Sequence, residues 1–234
     1  MGSQRYVYRQ EDVQVNMDRI RITIFTDPMM GLSYECQPVF DRLKETYGDG
    51  IEITHVMAGL VRDVSDFMTP EELSYEPEEG ICRYCRRLAS IYKSEESIGG
   101  LPINMEGFLL FDADHRSSYP LCIAYEAAKL TDSSKADEYL YALRKATIVE
   151  TRQTTREDEL IRVAEEAGLN KTIFREHLTC GTAEAEFRKD LEYSRSLGIR
   201  GLPAYLIQRG EREILVQSLI GYDEFIRIFG MLSK

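Results

Sequence analysis

Segments with the pattern of β-strands occur towards both ends of the chain, with helical sequence between them. Residues 20–27, IRITIFTD, alternate apolar and polar side chains and are rich in β-branched residues, which is typical of a strand. Residues 50–60, GIEITHVMAGL, have the same character. Further along, LPAYLIQRG and EREILVQSLIG, residues 202–210 and 211–221, flank the segment GERE, which predicts a β-hairpin.

Helical patterns follow the first strand and close the chain. Residues 32–49 carry apolar side chains at spacings compatible with a helix. Pro38 lies inside this segment, where it either kinks the helix or opens a new helical segment. Residues 222–234, YDEFIRIFGMLSK, predict an amphipathic helix. The two ends of the chain therefore have the order β-α-β and β-β-α.

The middle of the chain predicts a block of helices. It begins at about residue 63 with charged sequence that contains two prolines, and we interpret this part as a long loop with one short helix at residues 80–93. Residues 117–130, SSYPLCIAYEAAKL, start with hydroxyl residues and a proline, as helices often do. Helical periodicity then continues to about residue 198.

The composition excludes several classes of partner. Lys and Arg total 29 against 40 Asp and Glu, so the net charge is −11. Such a surface repels phosphate backbones and anionic lipids, and we expect no nucleic-acid partner and no membrane partner. No apolar run approaches a membrane span of about 20 residues, and the N-terminal MGSQRYVYRQEDVQVNMDR lacks the apolar region of a secretory signal. We therefore expect a cytoplasmic protein.

The cysteine content also favours a reducing compartment, because five cysteines cannot all pair within one chain. Cys36 and Cys122 lie in helical sequence and are predicted core thiols. Cys180, in LTCGT, lies at an apparent break between helices, and we expect an exposed thiol that is open to glutathionylation. The three histidines are scattered, without a partner at the spacing of a catalytic triad.

Four short stretches carry a resemblance to a known family. TDPMMGLSYECQP, residues 26–38, is similar to a strand-to-helix turn of the form Asp-Pro-x-Cys-x-x-Cys-Trp. VMAGLVRD, residues 56–63, is similar to the segment after the second strand. SSYPLCIAYEAA, residues 117–128, resembles the first helix beside the active site, and SLGIRGLPAYLI, residues 196–207, resembles a Gly-x-x-Gly-x-Pro loop with a cis proline.

In this order the stretches resemble the DsbA-like family of thioredoxin-fold proteins. They are most similar to the cytoplasmic branch with FrnE-type oxidoreductases, 2-hydroxychromene-2-carboxylate isomerases and kappa-class glutathione transferases. The resemblance implies an α/β thioredoxin fold interrupted by a helical insertion domain. Residues 20–62 and 196–234 would form the two halves of the thioredoxin-like domain, and residues 63–195 the insertion. Many relatives dimerise, so a homodimer is a further expectation.

The resemblance places Met30 and Ser33 where the family has its two redox cysteines. The usual CxxC is thus replaced by the segment MGLS, with Met30 at its first position and Ser33 at its last. Because a methionine does not ionise, the thiolate mechanism of the redox members is absent at this place. The Ser33 hydroxyl either donates to a ligand anion or bonds the backbone near a helix start.

The same resemblance implies a binding groove at the proline loop. A cis Pro203 would leave the Leu202 backbone open to pair with an extended peptide or with the backbone of glutathione. The alternative is that Pro203 simply begins a strand. Tyr34 and Tyr119 line the cleft by family position, or else pack in the core or at the rim.

Cys82 and Cys85, in GICRYCRRLA, form a CxxC away from the usual turn. On a helix the two residues share a face, and the neighbouring arginines would favour thiolates. Three interpretations stay open: ordinary helix residues, a displaced or regulatory dithiol, and a zinc or cluster site. Four-coordinate zinc needs two more ligands, and the sequence offers no second CxxC and no histidine pair.

We therefore expect a DsbA-like protein without the usual redox pair, whose groove at Met30, Ser33, Tyr34, Leu202 and Pro203 binds a peptide or a small thiol ligand. The alternative is an enzyme. It would be a thiol-disulfide oxidoreductase or redox sensor that uses Cys82 and Cys85, or a glutathione-dependent isomerase or transferase. We expect no cofactor and no bound metal, with glutathione as a candidate ligand.

Overall fold

A computed structural model describes residues 19–233 of the chain. Its centre is one four-stranded sheet with the strand order β2-β1-β3-β4. The strands are β1 (Ile20–Thr26), β2 (Ile51–Met57), β3 (Ala204–Arg209) and β4 (Arg212–Val216). β1 pairs parallel with β2 and antiparallel with β3, which in turn pairs antiparallel with β4. Strands from both ends of the chain thus form a single sheet, and the predicted α/β thioredoxin fold is confirmed.

Among the described residues, two α-helices lie between β1 and β2, six lie between β2 and β3, and one follows β4. They are α1 (Gly31–Glu35), α2 (Gln37–Tyr47), α3 (Pro77–Gly99), α4 (Tyr119–Thr131), α5 (Ala136–Ile148), α6 (Glu157–Glu166), α7 (Lys171–Thr179), α8 (Thr182–Ser196) and α9 (Tyr222–Leu232). In the described part of the chain, no helix is long and apolar enough to cross a membrane.

The sheet is buried on both faces because its side chains alternate between two clusters. Ile20, Ile22 and Ile24 of β1 pack on one face, in a cluster that includes Phe225 of α9. Phe25, the next residue along the strand, lies in a second cluster with other sheet residues. The largest cluster lies among the helices between β2 and β3. The predicted domain boundaries at residues 62/63 and 195/196 stay a prediction.

Three helix boundaries follow from proline and glycine chemistry. Pro38 is in the first turn of α2, so it opens a new helix rather than kinking a longer one. α3 is longer than the helix predicted at residues 80–93. Pro77 and two acidic residues form its first turn, and Gly100 ends it in a left-handed conformation with φ 75°.

The expectation of no secretory signal concerns residues 1–18, outside the described residues.

Candidate functional site

The turn after β1 is held by a buried carboxyl group. Asp27 accepts hydrogen bonds from the Met29 amide (3.1 Å), the Leu60 amide (2.7 Å) and the Ser118 hydroxyl (2.6 Å), and the Cys122 thiol lies 3.4 Å away. Burial raises the pKa of Asp27, and these donors offset part of that effect. The carboxyl therefore ties the turn to the loop after β2 and to α4.

Met30 and Ser33 lie at the start of α1, and the Ser33 side chain is hydrogen-bonded inside the protein. The Ser33 hydroxyl accepts a 2.7 Å hydrogen bond from the Thr26 hydroxyl and lies 3.8 Å from the Met30 sulfur. Arg144 donates to the same Thr26 oxygen at 3.0 Å. Ser33 is only 4% exposed and its partners are side chains rather than backbone. Its hydroxyl is thus engaged below the surface.

Tyr34 is also turned inward. It is 2% exposed and stacks on Tyr141 with ring centroids 6.2 Å apart. Burial raises the pKa of Tyr34 to about 12. Cys36, one turn further, is a buried core thiol as predicted, 3.8 Å from the Tyr205 hydroxyl. Burial raises its pKa as well, so this side of α1 is core rather than cleft.

The Leu202–Pro203 peptide bond is cis and precedes β3. The β1–β3 pairing ends at Ala204, and no hydrogen bond to the Leu202 backbone is present among the residues that the structure describes. A Cβ built on the preceding residue, Gly201, would meet nothing within 4 Å, so the space beside Gly201 is open. Leu202 therefore presents an unpaired N–H and C=O beside the Met30 turn.

Two cavities meet at Leu202 and together form what we call the groove. The Met30 cavity has a volume of about 260 Å³. Its lining is Met29, Met30, Gly31, Leu32, Leu60, Val61, Phe67, Tyr84, Arg87, Leu88, Ile91, Tyr92, Glu95 and Leu202. The Tyr119 cavity has a volume of about 420 Å³ and shares Leu60, Phe67 and Leu202 with the first. The rest of its lining is Ala58, Gly59, Tyr119, Leu191, Ser194, Arg195, Ile199, Arg200 and Gly201.

The Met30 cavity is largely apolar but contains polar atoms without partners. Tyr92 is 4% exposed, and its hydroxyl has no hydrogen-bond partner in the described part of the chain. The same holds for the Glu95 Oε2 atom. Burial and the nearby Glu35 raise the pKa of Glu95 to about 7, against the effect of the Leu32 amide. Arg87 is different, because it forms two 2.9 Å hydrogen bonds with one carboxylate, that of Glu72.

Cys82 and Cys85 do not reach this groove. Both are free thiols on α3, and Cys82 lines a separate cavity of about 540 Å³ whose lining includes Arg86 and Lys93. Cys85 is fully buried, with its sulfur 3.8 Å from the Phe111 carbonyl oxygen. Burial raises the pKa of the Cys85 thiol, which disfavours the thiolate.

The other candidate residues also have ordinary partners. Cys122 is buried and Cys180 is exposed, as predicted. His55 of β2 lies 3.1 Å from the Asp137 carboxylate, and His115 lies 2.8 Å from that of Asp112. Within residues 19–233, no group of three or more His, Cys, Asp or Glu side chains is arranged to hold a metal ion.

The sequence alone did not identify the polar side chains of the groove. Tyr92 and Glu95 come from α3, while Arg195 and Arg200 come from the end of α8 and the loop after it. These segments meet the Met30 turn only in the folded chain. The one signal was the 3-4 spacing of Tyr84, Leu88, Ile91, Tyr92 and Glu95, which defines a single helix face.

Comparison with known proteins agrees with the fold. A family model described as Thioredoxin matches residues 24–225, most of the chain. The chain belongs to this thioredoxin family. Solved structures of oxidoreductases named as DsbA proteins have the same fold. A probable DsbA oxidoreductase from Streptomyces coelicolor has a TM-score of 0.66 and 18% identity, covering 92% of this chain and 90% of that one.

Two further proteins are similar to this chain. The cytosolic disulfide reductase DsbM from Pseudomonas aeruginosa, solved with GSH, has a TM-score of 0.62 and 18% identity, covering 90% of this chain and 98% of that one. The ClpXP adapter protein SpxH from Halalkalibacterium halodurans is 22% identical over 187 residues. That match covers 80% of this chain but only 58% of the adapter's length. At these identities the structural likeness shows the fold alone.

Proposed function

We propose that this thioredoxin-family chain has lost the usual redox pair and binds an extended segment of another protein in the groove. The observation that carries the proposal is the unpaired Leu202 backbone between two cavities. An extended segment can add to such a backbone as a short strand, because its own N–H and C=O groups supply the missing hydrogen bonds. Its side chains would then enter the cavities on either side.

The rim of the groove supports a protein ligand. Phe67 and Ile91 are each 43% exposed although both line the Met30 cavity. Exposed apolar side chains beside an apolar cavity are typical of interaction sites. The SpxH relative is by name an adapter for ClpXP, so a role in binding another protein has a precedent among similar chains. We propose a comparable adapter-type role in the cytoplasm, without a named partner and without a cofactor.

Thiol-disulfide chemistry has weaker support. Met30 cannot form a thiolate, and Cys36, six residues further along the chain, is buried with a raised pKa. Cys85 is buried and hydrogen-bonded within the helical core. A reactive cysteine needs exposure and a lowered pKa, and neither condition holds for these two thiols.

Glutathione is a second candidate ligand for the same groove. The similar DsbM structure was solved with GSH, and the Leu202 backbone could pair with a glutathione backbone. Thermal unfolding in millimolar glutathione tests this branch. A ligand at one hundred times its dissociation constant adds about 2.7 kcal/mol of stability, so an unchanged unfolding temperature would remove glutathione from the account.

The test of the main proposal uses a phage-displayed library of random dodecapeptides selected on the protein. We expect enriched peptides with an apolar centre. Ile91→Glu should weaken their binding about tenfold, since it places a charge at the rim of the Met30 cavity. Ile98→Glu is the matched control, because Ile98 is also on α3 and is 47% exposed but does not line the groove.

Binding would be measured by fluorescence anisotropy with synthetic copies of the enriched peptides. Equal affinities for wild type and Ile98→Glu, with a loss in Ile91→Glu, would support the groove. Failure of the library to enrich any peptide, or equal binding to both variants, would contradict the proposal.

A further inference from the structure

Above about pH 7, where Glu95 is mostly ionised, the two cavities of the groove carry opposite charges. Glu95 lines only the Met30 cavity, whereas Arg195 and Arg200 line only the Tyr119 cavity. The cavities share Leu60, Phe67 and Leu202, so the acidic side chain and the two basic side chains lie on either side of the open Leu202 backbone. The groove therefore has an acidic end, an apolar centre and a basic end.

The charges at both ends are available to a ligand. The other ion in the Met30 cavity, Arg87, is already neutralised by the Glu72 carboxylate. Glu95 has no ion pair, and its Oε2 atom lacks a hydrogen-bond partner among the described residues. At the other end, neither Arg195 nor Arg200 forms an ion pair with any part of the chain that the structure describes.

A second observation points to a donor and acceptor at the acidic end. Tyr92 is more than nine-tenths buried, lines the same cavity, and has a hydroxyl without a partner. Buried polar atoms normally have hydrogen-bond partners, and those that lack them call for an explanation. A ligand ammonium or guanidinium that enters this cavity would offer hydrogen-bond donors, which is what carboxylate and phenol oxygens without partners require.

We infer that the groove selects an extended protein segment with a basic side chain at one end, an apolar centre and an acidic side chain at the other. The basic side chain lies in the Met30 cavity beside Glu95, and the acidic one lies in the Tyr119 cavity beside Arg195 and Arg200. This inference rests on the proposed peptide-binding function and adds the charge pattern and the orientation of the bound segment. The arrangement disfavours polyanions such as nucleic acids, since one end of the groove is acidic.

The test is a double-mutant cycle between protein and peptide. The probe is the tightest dodecapeptide from the library selection, together with a copy in which its basic residue is replaced by glutamine. We expect the replacement to weaken binding to the wild type about fivefold. Against Glu95→Gln the two peptides should bind equally, because the charge that distinguishes them has been removed. The acidic residue of the peptide and Arg200→Gln form the corresponding cycle at the other end.

Two substitutions control for changes in net charge. Glu138 on α5 and Arg212 on β4 are exposed and line neither cavity. Glu138→Gln and Arg212→Gln should therefore leave the discrimination between the charged and neutral peptides unchanged. If they reduce it as much as the groove variants do, the preference comes from long-range charge and the inference is wrong.

The outcomes separate this inference from the proposed function. Selected peptides that show no charge pattern, or that lose equal affinity with Glu95→Gln whether charged or neutral, would overturn the charge inference. The proposed function would survive in that case if Ile91→Glu still weakened binding. A protein that enriches no peptide would instead contradict the proposed function itself.

Discussion

The two faces of α3 differ in whether their polar side chains have hydrogen-bond partners. On one face Cys82 lines a cavity in which Lys93 hydrogen-bonds to the Glu96 carboxylate and to a backbone carbonyl, each at 2.8 Å. On the other face Tyr92 and Glu95 keep polar atoms without partners beside apolar side chains. Lys93 beside Cys82 is thus paired, whereas the buried oxygen atoms of Tyr92 and Glu95 are not.

Under the proposed function, this difference assigns binding to the groove face. An unpartnered buried polar atom costs about 1 to 3 kcal/mol, so a sequence optimised only for stability would pair it or replace it. The groove face retains two such atoms next to an open backbone. The proposed function therefore rests on these unsatisfied groups and not on the CxxC motif.

The largest effect on stability is expected from a substitution that forces α3 and α1 apart. A Cβ added at Gly99 would lie 2.0 Å from the Glu35 backbone oxygen, a contact that neither helix can relieve by rotating a side chain. We predict that Gly99→Ala lowers the free energy of unfolding by about 2 to 3 kcal/mol. Urea denaturation followed by circular dichroism measures this change.

Gly230 provides the matched control, because it is also helical but has nothing within 4 Å of an added Cβ. Gly230→Ala should stabilise the protein by about 0.5 to 1 kcal/mol. If both alanines have the same effect, α1 and α3 do not pack as closely as described, and the groove face loses its structural basis.

An intermediate effect should distinguish the two thiols of α3. Cys85 is fully buried in an apolar cluster, whereas Cys82 is half-buried beside a cavity. Under reducing conditions we predict that Cys85→Ser costs about 1 to 2 kcal/mol, because the serine hydroxyl replaces a thiol in an apolar site. Cys82→Ser should stay within about 0.5 kcal/mol of wild type. Equal losses that appear only without reductant would indicate a disulfide between them instead.

The smallest predicted effect concerns the pH dependence of stability. Glu95 and Glu96, neighbouring residues of α3, should contribute to it with opposite signs. Burial first, and Glu35 second, raise the pKa of Glu95 to about 7, so the folded state holds its proton more tightly than the unfolded state. The corresponding stability is present below about pH 4.5 and is lost as the pH rises through about 7. Glu95→Gln should therefore match the wild type at about pH 5 and exceed its stability at about pH 8, by less than about 1 kcal/mol.

Glu96 is the control for this prediction. The Ile103 amide, and then Lys93, lower the pKa of Glu96, so its contribution is present above the ordinary pKa and is lost as the pH falls through the lowered one. Glu96→Gln should thus be less stable than wild type at neutral pH and approach it in acid. Thermal unfolding across the pH range measures both variants, and the same sign for the two would contradict the assigned environments.

Much of the fold could be predicted because its signals are local. The alternating β-branched residues of β1, the hairpin at Gly210 and the proline at the start of α4 each specify one element through neighbouring residues. The length of α3 was underestimated because its acidic first turn, beginning at Pro77, resembled a charged loop. Helix caps and prolines therefore set boundaries that apolar periodicity alone misses.

The candidate site could be predicted only in part. Met30 and Leu202 line the groove, as the family resemblance implied, but Ser33 and Tyr34 lie beneath it. Whether a side chain in a turn points outward depends on its partners from distant segments, such as Thr26 and Arg144 for Ser33. Glu95 could not be predicted as a groove residue for the same reason. Its position beside Gly31 depends on how α3 packs against α1.

The most direct test of the central claim is hydrogen–deuterium exchange of the protein with and without a library-selected peptide. If the groove is the binding site, amide exchange should slow at residues 58–61, 88–95 and 199–204, with the strongest protection at Leu202 as it gains a strand partner. Protection that instead centres on residues 82–90 and 105–109, around the Cys82 cavity, would contradict the account and return the function to the face that carries the thiols.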